Sequence, residues 1–185
     1  ALPGDSLYSL STTSGQCKGQ PAHPIPTAQR FPFPYLEDFE SYSSGATPRY
    51  FADQKGTFEV WDEPNHGRCL RQIVPQQGIV WQYMAGGVMP YTVFGDPKWS
   101  DYALSCDVRL VGGHVEVGGR FGDQNKLDYR LILSSHGAWK LNYQDKTLAQ
   151  GELQSFDSTR WHAMKIAFQG SVVRGYVDGR LLAEA

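Results

Sequence analysis

The sequence predicts an all-β fold, a two-sheet antiparallel sandwich. Apolar and polar residues alternate in many short runs, and a period of two places successive side chains on opposite faces of a strand. Turn-forming clusters such as Gly112-Gly113, Gly118-Gly119 and the Ser134 to Gly137 stretch separate these runs at a spacing of roughly ten residues, which is typical of a sandwich. No segment of ten or more residues carries a convincing helical stripe.

The N-terminal part of the chain has a different character from the rest. Residues 7–13 form a short run that predicts a strand, and five prolines lie within residues 21–34. Prolines at this density exclude a regular helix or a central strand and hold the chain extended. We therefore expect residues 1–20 to be the terminal strand of a preceding β-sandwich domain, residues 21–34 to be a linker, and residues 35–185 to form the main sandwich.

The predicted strands of the main sandwich follow the alternating runs, which are residues 57–61, 103–110, 127–133, 139–143 and 164–168. The pair Asp178-Gly179 lies between residues 172–177 and 180–183, and this predicts a hairpin with a type I′ turn, because both central residues of that turn need positive φ. A sandwich edge is usually covered. We therefore expect a further strand after Ala185.

Composition narrows the classes of function. The 185 residues include 17 basic and 19 acidic side chains, and the net charge of −2 offers no field for nucleic acid or an anionic membrane. No apolar run is long enough to span a membrane. The start of the chain lacks the pattern of a secretory signal, so a signal is expected upstream if the protein is exported.

Three widely spaced cysteines, Cys17, Cys69 and Cys106, exclude a complete disulfide framework and a CxxC metal site. Cys106 lies in an alternating run and is interpreted as a small buried apolar residue. A bond between Cys17 and Cys69 stays open at this point.

Catalytic groups are scarce. The acidic cluster Glu59, Asp62 and Glu63 splits between two strand faces before Pro64, so it is interpreted as a solvated strand end rather than a glycosidase pair. No catalytic residue is therefore predicted in this segment. His114 and Glu116 share a strand face but lack a third metal ligand.

Other polar and aromatic residues are interpreted as structural. His162 is predicted to be a hydrogen-bonded histidine at the edge of the core. Trp99 is expected to close over an Asp-Pro turn, and Trp161 to anchor the core at the start of a strand.

Trp81 is the most suggestive aromatic residue. It ends the run Gly78-Ile79-Val80-Trp81 shortly before Ala85-Gly86-Gly87. A tryptophan beside such a loop can present its indole face to a sugar ring, because aromatic rings combine a large apolar surface with a polar edge. From composition alone, burial in the core is the favoured alternative.

Several segments follow the order and spacing of a known family. They include Phe51-Ala52-Asp53-Gln54 with Gly56, Gly78-Ile79-Val80-Trp81 and Gly95-Asp96-Pro97-Lys98-Trp99, and the other segments are residues 35–40, 70–72, 106–108 and 119–120. In these segments the chain resembles the C-terminal lectin-like domain of the galactosylceramidase (galactocerebrosidase) glycoside hydrolases. The resemblance implies a jelly roll of the concanavalin and laminin-G kind, in a protein whose catalytic carboxylates lie on a separate TIM barrel.

The same resemblance implies site residues and partners. Trp81 matches a tryptophan that the lectin-like domain contributes to the galactose pocket, so the expected partners are a galactoside or glycolipid and the TIM-barrel domain. Asp38, Glu40 and the carbonyl of Arg68 match calcium ligands, and oxygen donors suit that ion. No organic cofactor is expected. The implied location is lysosomal for an animal protein, and secretion is expected otherwise.

Three hypotheses for the function are carried forward. The first is an accessory domain that completes the substrate site of a galactosylceramidase, whose intact form would cleave galactose from galactosylceramide and related glycolipids. The second is a free-standing lectin without catalysis. The third, a sandwich hydrolase in its own right, ranks last because no carboxylate pair fits.

Overall fold

The computed structural model describes residue 27 and residues 29–74, 89–121 and 127–185. Within these residues the chain forms twelve β-strands and no helix. The first six strands are β1 (Ala52–Lys55), β2 (Phe58–Glu63), β3 (Gly67–Gln72), β4 (Tyr91–Val93), β5 (Tyr102–Val108) and β6 (His114–Phe121). The last six are β7 (Leu127–Ser134), β8 (Ala138–Tyr143), β9 (Lys146–Glu152), β10 (His162–Gln169), β11 (Val172–Val177) and β12 (Arg180–Glu184).

Two four-stranded antiparallel sheets dominate the fold. The first sheet has the order β12-β11-β10-β5, and the second sheet has the order β6-β7-β8-β9. Two further antiparallel pairs are described, β1 with β4 and β2 with β3. The prediction of an all-β antiparallel sandwich is confirmed.

The core lies between the inner faces of the two large sheets. Leu131, Leu133 and Leu141 of the second sheet and Met164 and Ile166 of the first are all 0% exposed. They belong to one continuous cluster of buried side chains. At Gly175 on β11 a Cβ atom would lie 3.1 Å from Leu131 Cδ1, so the two sheets approach closely at this point. Burial of this apolar surface is the main stabilising term of the sandwich.

The last hairpin forms as predicted. Asp178 has φ of 49° and Gly179 has φ of 74°, the two positive values that a type I′ turn requires. β11 and β12 pair in antiparallel register on either side of this turn. Among the described strands β12 is an edge of the first sheet, and the further strand expected after Ala185 stays a prediction.

The predicted strands at residues 57–61, 127–133, 139–143 and 164–168 are also confirmed, within one or two residues at each end. The run predicted at residues 103–110 ends earlier, at Val108. Leu110 lies beyond the strand but is 6% exposed, so its side chain still enters the core and extends the apolar pattern.

The predicted turn at Gly118-Gly119 is wrong, since both glycines lie within β6. A Cβ atom on Gly119 would lie 2.3 Å from Tyr102 Oη and 2.7 Å from Phe168 Cε2. Gly119 therefore marks a close approach of two aromatic side chains to a strand, which is the other common reason for glycine inside a strand.

Cys69 and Cys106 are free thiols, whereas Cys17 lies outside the described residues. Cys106 is partly buried and packs against the core cluster, in keeping with its interpretation as a small apolar residue. Burial, followed by the nearby charge of Asp107, raises the pKa of the Cys106 thiol to about 11. The thiol is therefore protonated at neutral pH.

Trp99 behaves as predicted. Asp96 Oδ1 accepts a hydrogen bond from Lys98 N at 2.9 Å, and Asp96 O accepts one from Trp99 N at 3.1 Å. The Trp99 ring lies so close to Gly95 that a Cβ there would be 2.6 Å from it. The tryptophan closes over the Asp-Pro turn.

The chain divides into two compact units, Ala1–Tyr35 and Leu36–Ala185. The strand expected at residues 7–13 lies outside the described residues, as does most of the expected linker. The assignment of residues 1–20 to a preceding domain and of residues 21–34 to a linker therefore stays a prediction.

Candidate functional site

The first part of the candidate cation site is a turn that precedes β1. Asp38 Oδ1 accepts a hydrogen bond from Glu40 N at 3.0 Å, and Phe39 between them has φ of 64°. Asp is well suited to such a turn because its short carboxylate can bond to a main-chain N–H two residues further on. The turn continues with a bond from Tyr42 N to Phe39 O at 3.2 Å.

The second part is the turn of the β2–β3 hairpin. Asn65 and Gly67 adopt φ of 63° and 96° there, values that asparagine and glycine tolerate better than other residues. Gly67 also meets a steric requirement, because a Cβ atom on it would lie 2.3 Å from Glu40 Oε1. The hairpin can therefore approach the Glu40 carboxylate closely.

Arg68 joins the two turns. Its N–H donates to Glu40 Oε1 at 2.7 Å, and its Nη1 donates to Glu40 O at 2.9 Å. Its Nε bonds to Asp62 Oδ1 at 3.0 Å. The structure thus brings together the three residues that the family resemblance implied as calcium ligands, although Arg68 is 28 residues from Glu40.

These residues have the donor chemistry that calcium requires. The hydrogen bonds just described engage one oxygen of Asp38 and one of Glu40. The carboxylates of Asp38, Glu40 and Asp62 outnumber the Arg68 guanidinium, so the local charge is negative. Calcium takes six to eight oxygen ligands, from carboxylates, carbonyls and water. Asp38, Glu40 and the Arg68 carbonyl would supply three oxygen donors of this kind, and other oxygen donors would complete the shell.

Trp81, the residue predicted to face a sugar, lies outside the described residues, as does the whole stretch of residues 75–88. The described strands on either side of that stretch are β3, which ends at Gln72, and β4, which begins at Tyr91. The role of Trp81 therefore stays a prediction.

Two members of the acidic cluster on β2, Asp62 and Glu63, form ion pairs. Asp62 pairs with Arg68, and its side chain is 65% exposed, as a solvated strand end predicts. Glu63 differs, because its side chain is only 12% exposed and its Oε1 lies 2.7 Å from Arg109 Nη2. The interpretation as a solvated strand end is wrong for Glu63, since a cation from a distant loop covers it.

The side chains of His114 and Glu116 contact each other on one face of β6. His114 Nε2 lies 3.4 Å from Glu116 Oε1, and Glu116 Oε2 lies 3.3 Å from Arg130 Nη1. Within the part of the chain that the structure describes, no three His, Cys, Asp or Glu side chains gather as metal ligands. The candidate cation site has two such side chains, Asp38 and Glu40, and its third implied donor is a main-chain carbonyl.

Trp161 does not anchor the core, contrary to the sequence prediction. Its ring stacks on His66 with centroids 3.9 Å apart, and the Arg109 guanidinium lies 5.6 Å from its centre. The residue is half-buried and is not a member of the core cluster. The prediction rested on the position of Trp161 at the start of a strand. That position could not show the contacts with His66 and Arg109, because these residues come from other parts of the chain.

His162 has the predicted character. Its Nδ1 lies 2.8 Å from Asp178 Oδ2, and its Nε2 lies 2.8 Å from Asp157 O. The side chain is 12% exposed, and His162 is the first residue of β10.

Comparison with known proteins identifies the family. The family model described as "Galactocerebrosidase, C-terminal lectin domain" matches residues 53–185. The chain belongs to this lectin domain family. Trp81 and Arg68 lie within the match, whereas Asp38 and Glu40 precede it.

Individual relatives agree with the family match. The galactocerebrosidase of Salmo salar is 28% identical to this lectin domain chain over 195 residues, which are 97% of this chain and 29% of that protein. The galactocerebrosidase of Homo sapiens is 32% identical over 134 residues, or 64% of this chain and 19% of that protein. The chain thus spans less than a third of the length of these relatives.

One further observation concerns membranes. In the described residues of the lectin domain chain, no helix is both long enough and apolar enough to span a bilayer.

Proposed function

We propose that this lectin domain completes the substrate site of a galactocerebrosidase-type glycoside hydrolase. The observation that carries the proposal is the family match over residues 53–185, together with the two relatives described above, both named galactocerebrosidase. In this proposal a TIM-barrel domain outside this chain supplies the catalytic acid and nucleophile. The intact enzyme releases galactose from galactosylceramide and related glycolipids, a step of sphingolipid breakdown.

The ion pairs on β2 support the assignment of catalysis to another domain. Retaining glycosidases need two carboxyl groups about 5–5.5 Å apart, one of them free to give up a proton and the other free to attack. Asp62 and Glu63 instead pair with Arg68 and Arg109. They are better suited to stabilising the hairpin than to cleaving a glycosidic bond.

Trp81 is the proposed sugar contact. An indole ring offers a rigid apolar face that can cover the C–H side of galactose, while its N–H can donate a hydrogen bond at the edge. Such a contact would contribute to the binding of the substrate and would leave the acid-base chemistry to the catalytic domain. The loss of this contact should therefore lower kcat/KM only moderately.

Replacing Trp81 with alanine in the full-length enzyme should lower kcat/KM for a galactosyl glycolipid about tenfold, which corresponds to about 1.4 kcal/mol of lost stabilisation. The measurement is steady-state hydrolysis of a fluorogenic galactoside and of the glycolipid. Trp61→Ala is the matched control, since Trp61 is 39% exposed on β2 and its ring carries the Arg71 guanidinium at 4.4 Å. Equal kcat/KM for the Trp81 variant and the wild type would contradict the proposed contact.

Calorimetry separates this proposal from the free-standing lectin. An accessory domain has an incomplete sugar site, so residues 35–185 alone should give no saturable heat with a galactoside. Saturable binding by this segment would favour an independent lectin instead. Turnover of a chromogenic glycoside by the segment alone would overturn both hypotheses.

We also propose that Asp38, Glu40 and the Arg68 carbonyl hold a structural calcium ion. The support is the convergence of the two turns described above, with Glu40 bonded to the Arg68 main chain at 2.7 Å. A bound ion would offset the negative charge and fix the two turns against each other. Its contribution would be to stability rather than to the chemistry of hydrolysis.

Calcium should raise the temperature of unfolding of the protein, and chelation should lower it, because an ion that binds the folded state stabilises it by mass action. At a calcium concentration about 100 times Kd, the gain is about 2.7 kcal/mol. Glu40→Gln should abolish most of this response, while Glu152→Gln, an exposed carboxylate on β9, should keep it. A calcium response that is equal in both variants would contradict the assignment of Glu40.

For the compartment, we propose a lysosomal location if the source is an animal and secretion otherwise, on the basis of the family alone. Localisation of the tagged full-length protein would test this.

A further inference from the structure

The side chain of His162 lies between two acceptor groups. Its Nδ1 faces a carboxylate oxygen of Asp178 in the β11–β12 turn, and its Nε2 faces the carbonyl oxygen of Asp157 in the connection before β10, each at 2.8 Å. The ring also packs against Phe156 with centroids 4.3 Å apart. Two separate segments of the chain therefore meet at one imidazole.

Both partner atoms are hydrogen-bond acceptors. A backbone carbonyl has no proton to donate, and an ionised carboxylate is an acceptor alone. Neutral imidazole has a single N–H, so it can satisfy one of these partners but not both. Imidazolium has two N–H groups and satisfies both.

The position of Asp178 is constrained by other contacts. Its Oδ1 accepts a hydrogen bond from Ala163 N at 2.9 Å, and its own N–H donates to Ala163 O at 2.8 Å. The carboxylate is thus held against the start of β10. The Asp157 carboxylate is occupied separately, by the N–H and hydroxyl of Thr159.

The charged groups around His162 act in opposite directions. Burial lowers the pKa of His162, while the hydrogen bonds to Asp178 and Asp157 and the Asp178 charge raise it. Arg160 lowers it to a smaller extent. The net shift of the pKa is upward, which agrees with the two-acceptor geometry.

We propose that His162 is an acid-engaged clip, which in its doubly protonated form ties the β11–β12 turn to the connection between β9 and β10. Loss of one proton leaves one of the two acceptors without its hydrogen bond. The clip is therefore complete in acid and incomplete in mild alkali. Trp161, the residue before His162, stacks on His66, so the clip lies beside the contact between this connection and the β2–β3 turn.

The pH dependence has a definite sign. In the unfolded chain the pKa of a histidine is about 6.5, and the folded value for His162 is raised. The stabilisation is then fully present below the unfolded pKa and is lost as the pH rises through the folded pKa. Acidification from neutral pH should strengthen this part of the fold.

Asp178→Asn is the informative variant. Asparagine keeps the side-chain carbonyl that can accept from Ala163 N, and Asn-Gly is a favoured pair for a type I′ turn. The substitution removes the charge that faces Nδ1 without disturbing the turn. NMR titration of the imidazole nitrogens in the full chain should show a His162 pKa above about 6.5 and a lower pKa in Asp178→Asn. A wild-type pKa at or below the unfolded value, or an identical pKa in both proteins, would overturn the proposal.

Hydrogen exchange provides the second readout. After correction for the intrinsic pH dependence of exchange, the protection of residues 156–163 should fall from about pH 5 to about pH 8 in the wild type. His162→Gln should remove this dependence, and His136→Gln, at an exposed histidine in the β7–β8 turn, should retain it. Two results would contradict the clip. One is protection that does not change with pH in the wild type, and the other is loss of the pH dependence of protection in the His136 variant.

Discussion

Leu131→Ala should lower the free energy of unfolding by about 2–5 kcal/mol, the cost of deleting a large buried side chain from a packed core. Leu131 is 0% exposed on β7, and the position of a Cβ on Gly175, across the sandwich on β11, is 3.1 Å from its Cδ1. Because glycine has no side chain with which to fill the space, the cavity left by the truncation should collapse poorly. The expected cost therefore lies in the upper part of the range.

Chemical denaturation of the chain with a spectroscopic probe measures this effect, as a lower midpoint at an unchanged slope. Leu181→Ala is the matched control, because Leu181 on β12 is 48% exposed and its truncation should change stability by no more than about 0.5 kcal/mol. An equal loss of stability in the two variants would contradict the described packing of the two sheets across Leu131 and Gly175.

Gly119→Ala should destabilise the chain by about 1–3 kcal/mol through overpacking. The added Cβ would lie 2.3 Å from Tyr102 Oη and 2.7 Å from Phe168 Cε2. Tyr102 cannot move freely, since its hydroxyl accepts a hydrogen bond from Arg120 N at 2.7 Å. Thermal or chemical unfolding would measure the loss.

Two variants make this prediction specific. Gly112→Ala introduces the same methyl group where no atom lies within 4 Å, so we expect little change or a slight gain in stability. Tyr102→Phe removes the atom nearest to the new Cβ, so it should recover part of the stability that Gly119→Ala loses. A Gly119 variant as stable as the Gly112 variant would show that β6 and the two aromatic rings do not approach as described.

The proposed role of this domain in completing a substrate site depends on that packing. The family match assigns the chain to the galactocerebrosidase C-terminal lectin domain, and in such a role the sandwich must present a loop with a fixed shape to another domain. A core variant should therefore reduce the yield of active enzyme through folding. Trp81→Ala should instead reduce kcat/KM at constant yield, so the two classes of variant are distinguishable.

The local pattern of the sequence was sufficient for the fold class and most strands. A strand with one buried face must alternate, and the interior of the sandwich follows this rule at Leu131, Leu133, Met164 and Ile166. The type I′ turn at Asp178-Gly179 was equally predictable, because its positive φ values depend on two adjacent residues. These features need no information from distant parts of the chain.

Non-local contacts decided the rest. The sequence predicts a turn at Gly118-Gly119, because it does not show that Tyr102 and Phe168 approach Gly119 within β6. The sequence predicts a solvated carboxylate at Glu63, because it does not show that Arg109 reaches this residue from another loop. The meeting of Glu40 with Arg68 and the two acceptors around His162 likewise join segments that are separated along the chain. Periodicity reports which face a residue occupies, whereas the partner on that face is determined by how the sheets and turns pack.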